Sequence, residues 1–255
     1  MKNKTLIIRM FCTILVIFGA ISLVTCTEDM GEDPSPNEAA GIWRGTVTFV
    51  DYDGWSSGGY TVLGLIDKDA STNIIFENLP TIQLYGDIYG YQGTLSSESN
   101  LVYENSSGHG HLFYQVTESH FSPGGTMTAT MDEDITYDSS SLILNLTYDS
   151  LYDRPASMTL LSDTWMGTIG VTGISLSIWH PGSISGKDSN GCIYNGSVKI
   201  SDSDHNMYSF EMTCSCVGGH SYGLGILTDT DAANDTLIIG TIGFSDSYVY
   251  RLKRQ

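Results

Sequence analysis

The sequence predicts an all-β, antiparallel body: two small up-and-down barrels or sandwiches in tandem, after an N-terminal signal helix. Three observations predict it. Apolar and polar residues alternate over many short runs, a period of two that turns one row inward and the other to water. Turn dipeptides separate the runs at about ten-residue spacing, in a chain with 28 glycines among 255 residues. A short pattern, Trp-x-Gly-Thr-aliphatic, opens the body at Trp43 and returns 122 positions later at Trp165.

The first element is the segment Met1 to Cys26. Lys2, Lys4 and Arg9 make a basic start, and Met10 to Val24 then runs for 15 residues without a charge. That is short of the roughly 20 apolar residues that cross a bilayer. It has the charged region, short apolar region and cleavage site of a secretory signal, so residues 1–25 are expected to be removed on export. Residues 26–40 follow as a tether. They are polar and acidic, with Pro34 and Pro36, and bury too little apolar surface to fold alone.

The body is expected to divide at residue 154, into β domains spanning 41–154 and 155–255. In the first, Met127, Ala129 and Met131 alternate with threonines, and Leu142, Leu144, Leu146 and Tyr148 alternate with Ile143, Asn145 and Thr147. Pro155 to Leu161 is the one stretch of the body that reads as a short helix, with Pro155 in its first turn. In the second domain Tyr194, Gly196, Val198 and Ile200 oppose Ile193, Asn195, Ser197 and Lys199. Tyr208, Phe210 and Met212 form the next inward row. Asp53-Gly54, Pro123-Gly124, Pro181-Gly182, Asn190-Gly191 and Gly218-Gly219 supply turns.

Leu23-Val24-Thr25-Cys26 resembles the lipobox of bacterial lipoproteins. The resemblance implies a diacylglycerol on the Cys26 sulfur and an acyl chain on its amine, an anchor of two or three chains. Thr27, in place of Asp, implies the outer membrane or cell surface. The alternative is an ordinary secretory signal cut nearby, with Cys26 a bystander. Gly41-x-Trp43 resembles the first strand of lipocalin-like barrels, in which a late Arg or Lys packs across the Trp. That likeness implies Arg154 as the clasp for Trp43 and Arg251 as the clasp for Trp165, a cation-π contact of about 0.5–2 kcal/mol. Leu151-Tyr152-Asp153-Arg154-Pro155 and Asp188-x-x-Gly191-Cys192-x-Tyr194-x-Gly196 also look like a group of uncharacterised exported bacterial proteins, which supplies no activity.

Charge excludes some partners. The chain carries 11 Lys+Arg against 29 Asp+Glu, and loss of the three basic residues of the signal leaves 8, a net charge of −21. Such a surface repels phosphate backbones and anionic lipid, so no nucleic acid is expected and membrane attachment falls to Cys26.

With Cys26 lipidated, Cys192, Cys214 and Cys216 remain. If Ile200 pairs with Met207, Cys192 lies opposite position 215. Cys214 and Cys216 then share one face, and either is in reach of Cys192; Cys216, at the more open end, is favoured.

Catalytic candidates fail on context. Gly219-His220-Ser221-Tyr222-Gly223 matches a nucleophile elbow, which needs a strand, a sharp turn and a helix, yet Gly225 to Thr228 reads as strand. His109 and His111 share a strand face with no third ligand in sight, with His120 at the far end. Asp51-x-Asp53, Asp202-x-Asp204 and Asp229-x-Asp231 lack calcium-loop spacing and suit β-turns. The sequence therefore calls for no catalytic residue, no metal and no cofactor. It points to a non-enzymatic envelope protein binding a small apolar ligand or an envelope protein. Filled barrels with a purely structural or interaction role are the alternative, and a secreted hydrolase the remote one.

Overall fold

A computed structural model of the chain describes residues 37–51, 54, 56–79, 82–97, 100–104, 111–133, 140–230, 232–243 and 247–255. The signal segment, Cys26, the tether up to residue 36 and His109 lie outside the described residues. The body is all-β. The strands are β1 (Gly41–Val50), β2 (Ser56–Ile66), β3 (Ser71–Phe76), β4 (Ile82–Asp87), β5 (Tyr89–Tyr91), β6 (Thr94–Ser96), β7 (Asn100–Glu104), β8 (His111–Phe121), β9 (Thr126–Glu133) and β10 (Ser141–Asp149). A 3-10 turn (Ser150–Asp153) and one short helix, α1 (Met158–Leu161), lead into β11 (Thr164–Ile169), β12 (Thr172–Trp179), β13 (Ser183–Asp188), β14 (Ile193–Ile200), β15 (Tyr208–Cys214), β16 (His220–Thr228), β17 (Thr236–Gly243) and β18 (Ser247–Arg254).

Two closed antiparallel barrels result. The first runs β1-β10-β9-β8-β7-β4-β3-β2, and the β5–β6 hairpin leaves it between β4 and β7. The second is an uninterrupted meander, β11 to β18, closed by β11 against β18. Closure removes the free edges that invite aggregation. Both barrels pack into one compact unit, residues 36–255. Among the described residues no helix is long and apolar enough to cross a membrane.

The Trp-x-Gly repeat has the same physical role in both barrels. Trp43 and Trp165 are fully buried, and each indole Nε1 donates to the carbonyl four residues earlier, Ala39 at 3.0 Å and Leu161 at 2.9 Å. The indole thereby satisfies its own polar atom and ties the incoming chain across the barrel end. Two residues on, the closing strand presses against the backbone. A Cβ on Gly45 would stand 2.0 Å from the Asn145 carbonyl, and one on Gly167 1.9 Å from that of Arg251. Only glycine admits that approach.

Inward rows follow the alternation. Met127, Ala129, Met131, Leu142, Leu144 and Leu146 join the Trp43 cluster, and Tyr194, Val198, Tyr208, Phe210 and Met212 join the Trp165 cluster. A third cluster uses outward rows. Ile42, Leu63, Leu65 and Ile75 of the first barrel meet Leu224, Ile226, Ile238 and Val249 of the second. The runs Val62–Ile66 and Leu237–Ile242 are buried throughout because one face meets a lumen and the other meets the neighbouring barrel.

Several expectations are corrected. Arg154 does not cover Trp43; its guanidinium grips Asp229 through two hydrogen bonds of 2.9 and 2.7 Å. The position on β10 that faces Trp43 belongs to Tyr148, edge-on at 5.5 Å. On β18 the position facing Trp165 belongs to Arg254, with its guanidinium carbon 4.9 Å from the indole centroid, and not to Arg251. The reason is parity: Arg251 is three residues from Arg254 and so lies on the opposite face of the strand. The helix begins at Met158, not Pro155, because Ser157 caps it through Thr159 N, while Ala156 N is held extended by the Ser203 carbonyl. Ile200 pairs with Tyr208 and not Met207, a register one residue further on.

Candidate functional site

Eight-stranded barrels either fill with side chains or hold one ligand. Here large buried side chains, Trp43, Phe76 and Tyr114 in the first and Trp165, Tyr208 and Tyr250 in the second, occupy the interiors. The mouth of the second barrel, beside Tyr194, Cys214, Tyr248 and Tyr250, holds a cavity of about 20 Å³, room for a water. A larger cavity of about 270 Å³ lies between the barrels. The first barrel contributes Asp67, Ser71 and Tyr85 to it, and the second Ser209, Tyr222 and Leu224. A groove of about 250 Å³ lies on the first barrel, beside Glu118, His120 and Thr130.

The inter-barrel cleft is built from a turn and two strand faces. Val62–Ile66 is an apolar run that must end where β2 leaves the core, and Asp67 ends it. Asp67 Oδ1 accepts from Asp69 N at 3.0 Å and Ser71 N at 2.9 Å, an Asx turn that launches β3. Tyr85 lies on β4, beside β3. Opposite them, β16 carries Tyr222 and Leu224 on its outward row: Leu224 is covered by the first barrel, and Tyr222, two residues back, is half-exposed at the cleft edge.

Electrostatics mark the same place. Burial pushes the Asp67 carboxyl up to about 6, and the charge of Asp69 adds to it, against the two backbone N–H bonds that favour the anion. Burial also raises the Tyr85 and Tyr152 hydroxyls, with Asp67 contributing to both. The connector closes one side of this region. Tyr152 stacks on His205 at 4.3 Å and 13°, and His205 Nδ1 lies 3.0 Å from Asp202 Oδ2. The backbone N–H of Asp204 and the imidazole of His205 together hold the Asp202 carboxyl below its ordinary value. The cleft thus offers aromatic faces, two serines and one buried carboxyl that neutralises near pH 6. It suits a molecule with an apolar body and a hydrogen-bond-donating head.

The sequence candidates are distributed elsewhere. Ser221 donates to the Met212 carbonyl at 3.2 Å within strand β16, and His220 Nδ1 lies 2.9 Å from Glu211 Oε1 on the other row. No strand–turn–helix elbow forms around them; Gly219 adopts a positive φ in a turn and β16 begins at His220. Asp202 and Asp229 serve turns and ion pairs, Asp202 through Asp204 N and His205, Asp229 through Asn234 N and Arg154. Cys192 and Cys216 are bridged, Cα to Cα 5.5 Å, and Cys214 is free. The one-residue register change places Cys192 opposite Cys216 itself, since Tyr194 pairs with Cys214 and Ser215 N bonds the Ile193 carbonyl. The cleft residues Asp67, Tyr85 and Tyr222 were missed by sequence reasoning. The available signal was the unbroken apolar run Val62–Ile66 ahead of the Asp67 turn, where a half-buried strand would alternate.

No protein-family model matches the chain, and no curated protein matches it. Among solved structures it is similar to a protein of unknown function from the DUF3598 family of Nostoc punctiforme PCC 73102. The identity is 10%, over 86% of this chain and 97% of that chain, with a TM-score of 0.31.

Proposed function

We propose that this is an exported, lipid-anchored envelope protein without catalytic chemistry, and that it binds a small amphipathic molecule between its two barrels. The observation that carries the binding reading is the contrast in room, about 270 Å³ in the cleft against about 20 Å³ at the mouth of the second barrel. Ligand sites are commonly concave, largely apolar and placed between domains, with a few polar groups that fix orientation. The cleft has that composition. The carboxyl of Asp67 favours a neutral or cationic head and disfavours an anionic one. Export and anchoring rest on the segment Met1 to Cys26 and on Cys26 as the lipid acceptor.

Two measurements test the two halves separately. Cys26→Ala should abolish fatty-acid labelling and release the protein from membranes; undiminished labelling sinks the anchor. For the cleft, the full chain is weighed by mass spectrometry under native and denaturing conditions, beside Tyr222→Ala. Tyr222 is half-exposed, so its loss should leave the fold intact. A stoichiometric mass on the native chain, lost on denaturation and at least tenfold reduced in the variant, is the expected result. A bound mass indifferent to Tyr222→Ala, or none at all, transfers the role to protein partners on the outer surface of filled barrels.

A further inference from the structure

Beside the cavity at the mouth of the second barrel, which Cys214 lines, stand three sulfur atoms that the ligand-binding reading does not use. The Sγ atoms of Cys192, Cys214 and Cys216 all lie within 4.8 Å of one another. Two of them form the bridge and the third is a free thiol. Cys214 ends β15 and Cys216 lies in the turn that follows, both beside Cys192, which stands immediately before the paired strand β14. Their exposure is graded: Cys192 is buried, Cys214 half-buried and Cys216 exposed in the turn after β15. The Tyr194 hydroxyl, which donates to Asp188 Oδ2 at 3.2 Å, has Cys214 as a further polar neighbour.

We infer that this trio is a thiol–disulfide exchange site, in which Cys214 attacks the Cys192–Cys216 bridge and delivers a free thiol to the surface at Cys216. Cys214 loses its proton and its Sγ bonds to Cys192 Sγ. The Cys192–Cys216 bond breaks, its electron pair leaves on Cys216 Sγ, and Cys216 takes up a proton. One S–S bond forms as one breaks, so no oxidant is needed. The product thiol stands in an exposed turn, unlike the half-buried thiol it replaces. There it can attack a second disulfide, carried by a small molecule or a protein. Cys216 then gains a mixed disulfide and the other half of that molecule leaves as a thiol. The substrate class is therefore a disulfide-bearing molecule in an oxidising compartment.

Oxidised glutathione serves as the probe. The full chain is incubated with and without it at pH 8, quenched in acid, unfolded, alkylated and peptide-mapped, so that Cys12 and Cys26 are scored apart. The expected result is a glutathione adduct on Cys216 accompanied by a Cys192–Cys214 bridge, and loss of that adduct in Cys214→Ser. Cys216→Ser should form the Cys192–Cys214 bridge and leave neither of the two remaining thiols free. An adduct confined to Cys214, or one on Cys216 that persists in Cys214→Ser, overturns the inference. The wild-type map decides the matter even if a variant fails to fold.

Discussion

A carboxyl that accepts two backbone N–H bonds ordinarily has a low pKa, since both bonds favour the anion. Asp67 accepts from Asp69 N and Ser71 N and is nevertheless pushed up to about 6, burial being the largest cause. Its charge is therefore a liability of the folded state. Between the unfolded value near 3.8 and the folded value near 6, the native chain holds a proton that the unfolded chain has released. Stability from this group is fully present below pH 3.8 and is lost as pH rises through 6. Asp67→Asn keeps the Oδ1 acceptor and removes the charge. It should flatten the pH dependence between 4 and 7 and add about 1 kcal/mol at pH 7.5, a figure discounted because the cleft is open to solvent. Urea denaturation at pH 5 and pH 7.5 checks it; an unchanged slope between those two pH values refutes it. The sequence did not disclose this residue. Asp67-Lys68-Asp69 looks like any acidic β-turn, and what distinguishes it is a second barrel far away in sequence.

At the scale of strands, the periodicity was fully legible and the register was not. Alternation located the rows of β9, β10, β14 and β15 because each has one face in a lumen and one toward water. It gave no such help for β17, covered on both faces, or for the β14–β15 turn, whose side-chain bonds add one residue to the loop. Asp202 holds Asp204 N, and Ser201 Oγ meets Ser209 Oγ at 2.6 Å, which delays pairing until Tyr208. The clasp assignments failed for the same reason. Choosing between Arg251 and Arg254 requires knowing which residue of β18 faces Trp165, and parity is fixed only once pairing is known. The glycine after each Trp makes a sharper test. Gly45→Ala and Gly167→Ala each drive a methyl into a backbone carbonyl that is part of the closing seam. Each should cost about 3 kcal/mol or more, and selectively. Hydrogen exchange should show Gly45→Ala loosening β1 and β10, and Gly167→Ala loosening β11 and β18. Equal loosening of both seams by either variant would show that the glycines do not act locally.

For the molecule as a whole, the question is what makes two closed barrels behave as one body. The apolar cluster of Ile42, Leu63, Leu65 and Ile75 against Leu224, Ile226 and Ile238 supplies area but little direction. Direction comes from buried amides. Asn73 Nδ2 donates to the Gly240 carbonyl at 2.5 Å, from one barrel to the other. Asn206 is more connected. Its Nδ2 reaches the Leu151 and Leu227 carbonyls at 3.3 and 2.7 Å, and its Oδ1 accepts from Leu227 N at 3.1 Å. One side chain, 2% exposed, thereby joins the connector, the β14–β15 turn and β16. Asn206→Ala would leave the Leu227 N–H and carbonyl short of partners in the interior, a loss of about 2–3 kcal/mol. Leu151 and Tyr152, whose backbone docks here, lead directly from β10, so the loss falls on the coupling between barrels more than on either lumen. Wild-type protein should then unfold in one transition, with tyrosine and tryptophan fluorescence coincident with far-UV circular dichroism. Asn206→Ala should separate the two signals, or broaden the transition with a lower slope against denaturant. A single, equally steep transition at a lower midpoint would mean that Asn206 stabilises the second barrel alone, and that the apolar interface is sufficient to couple the pair.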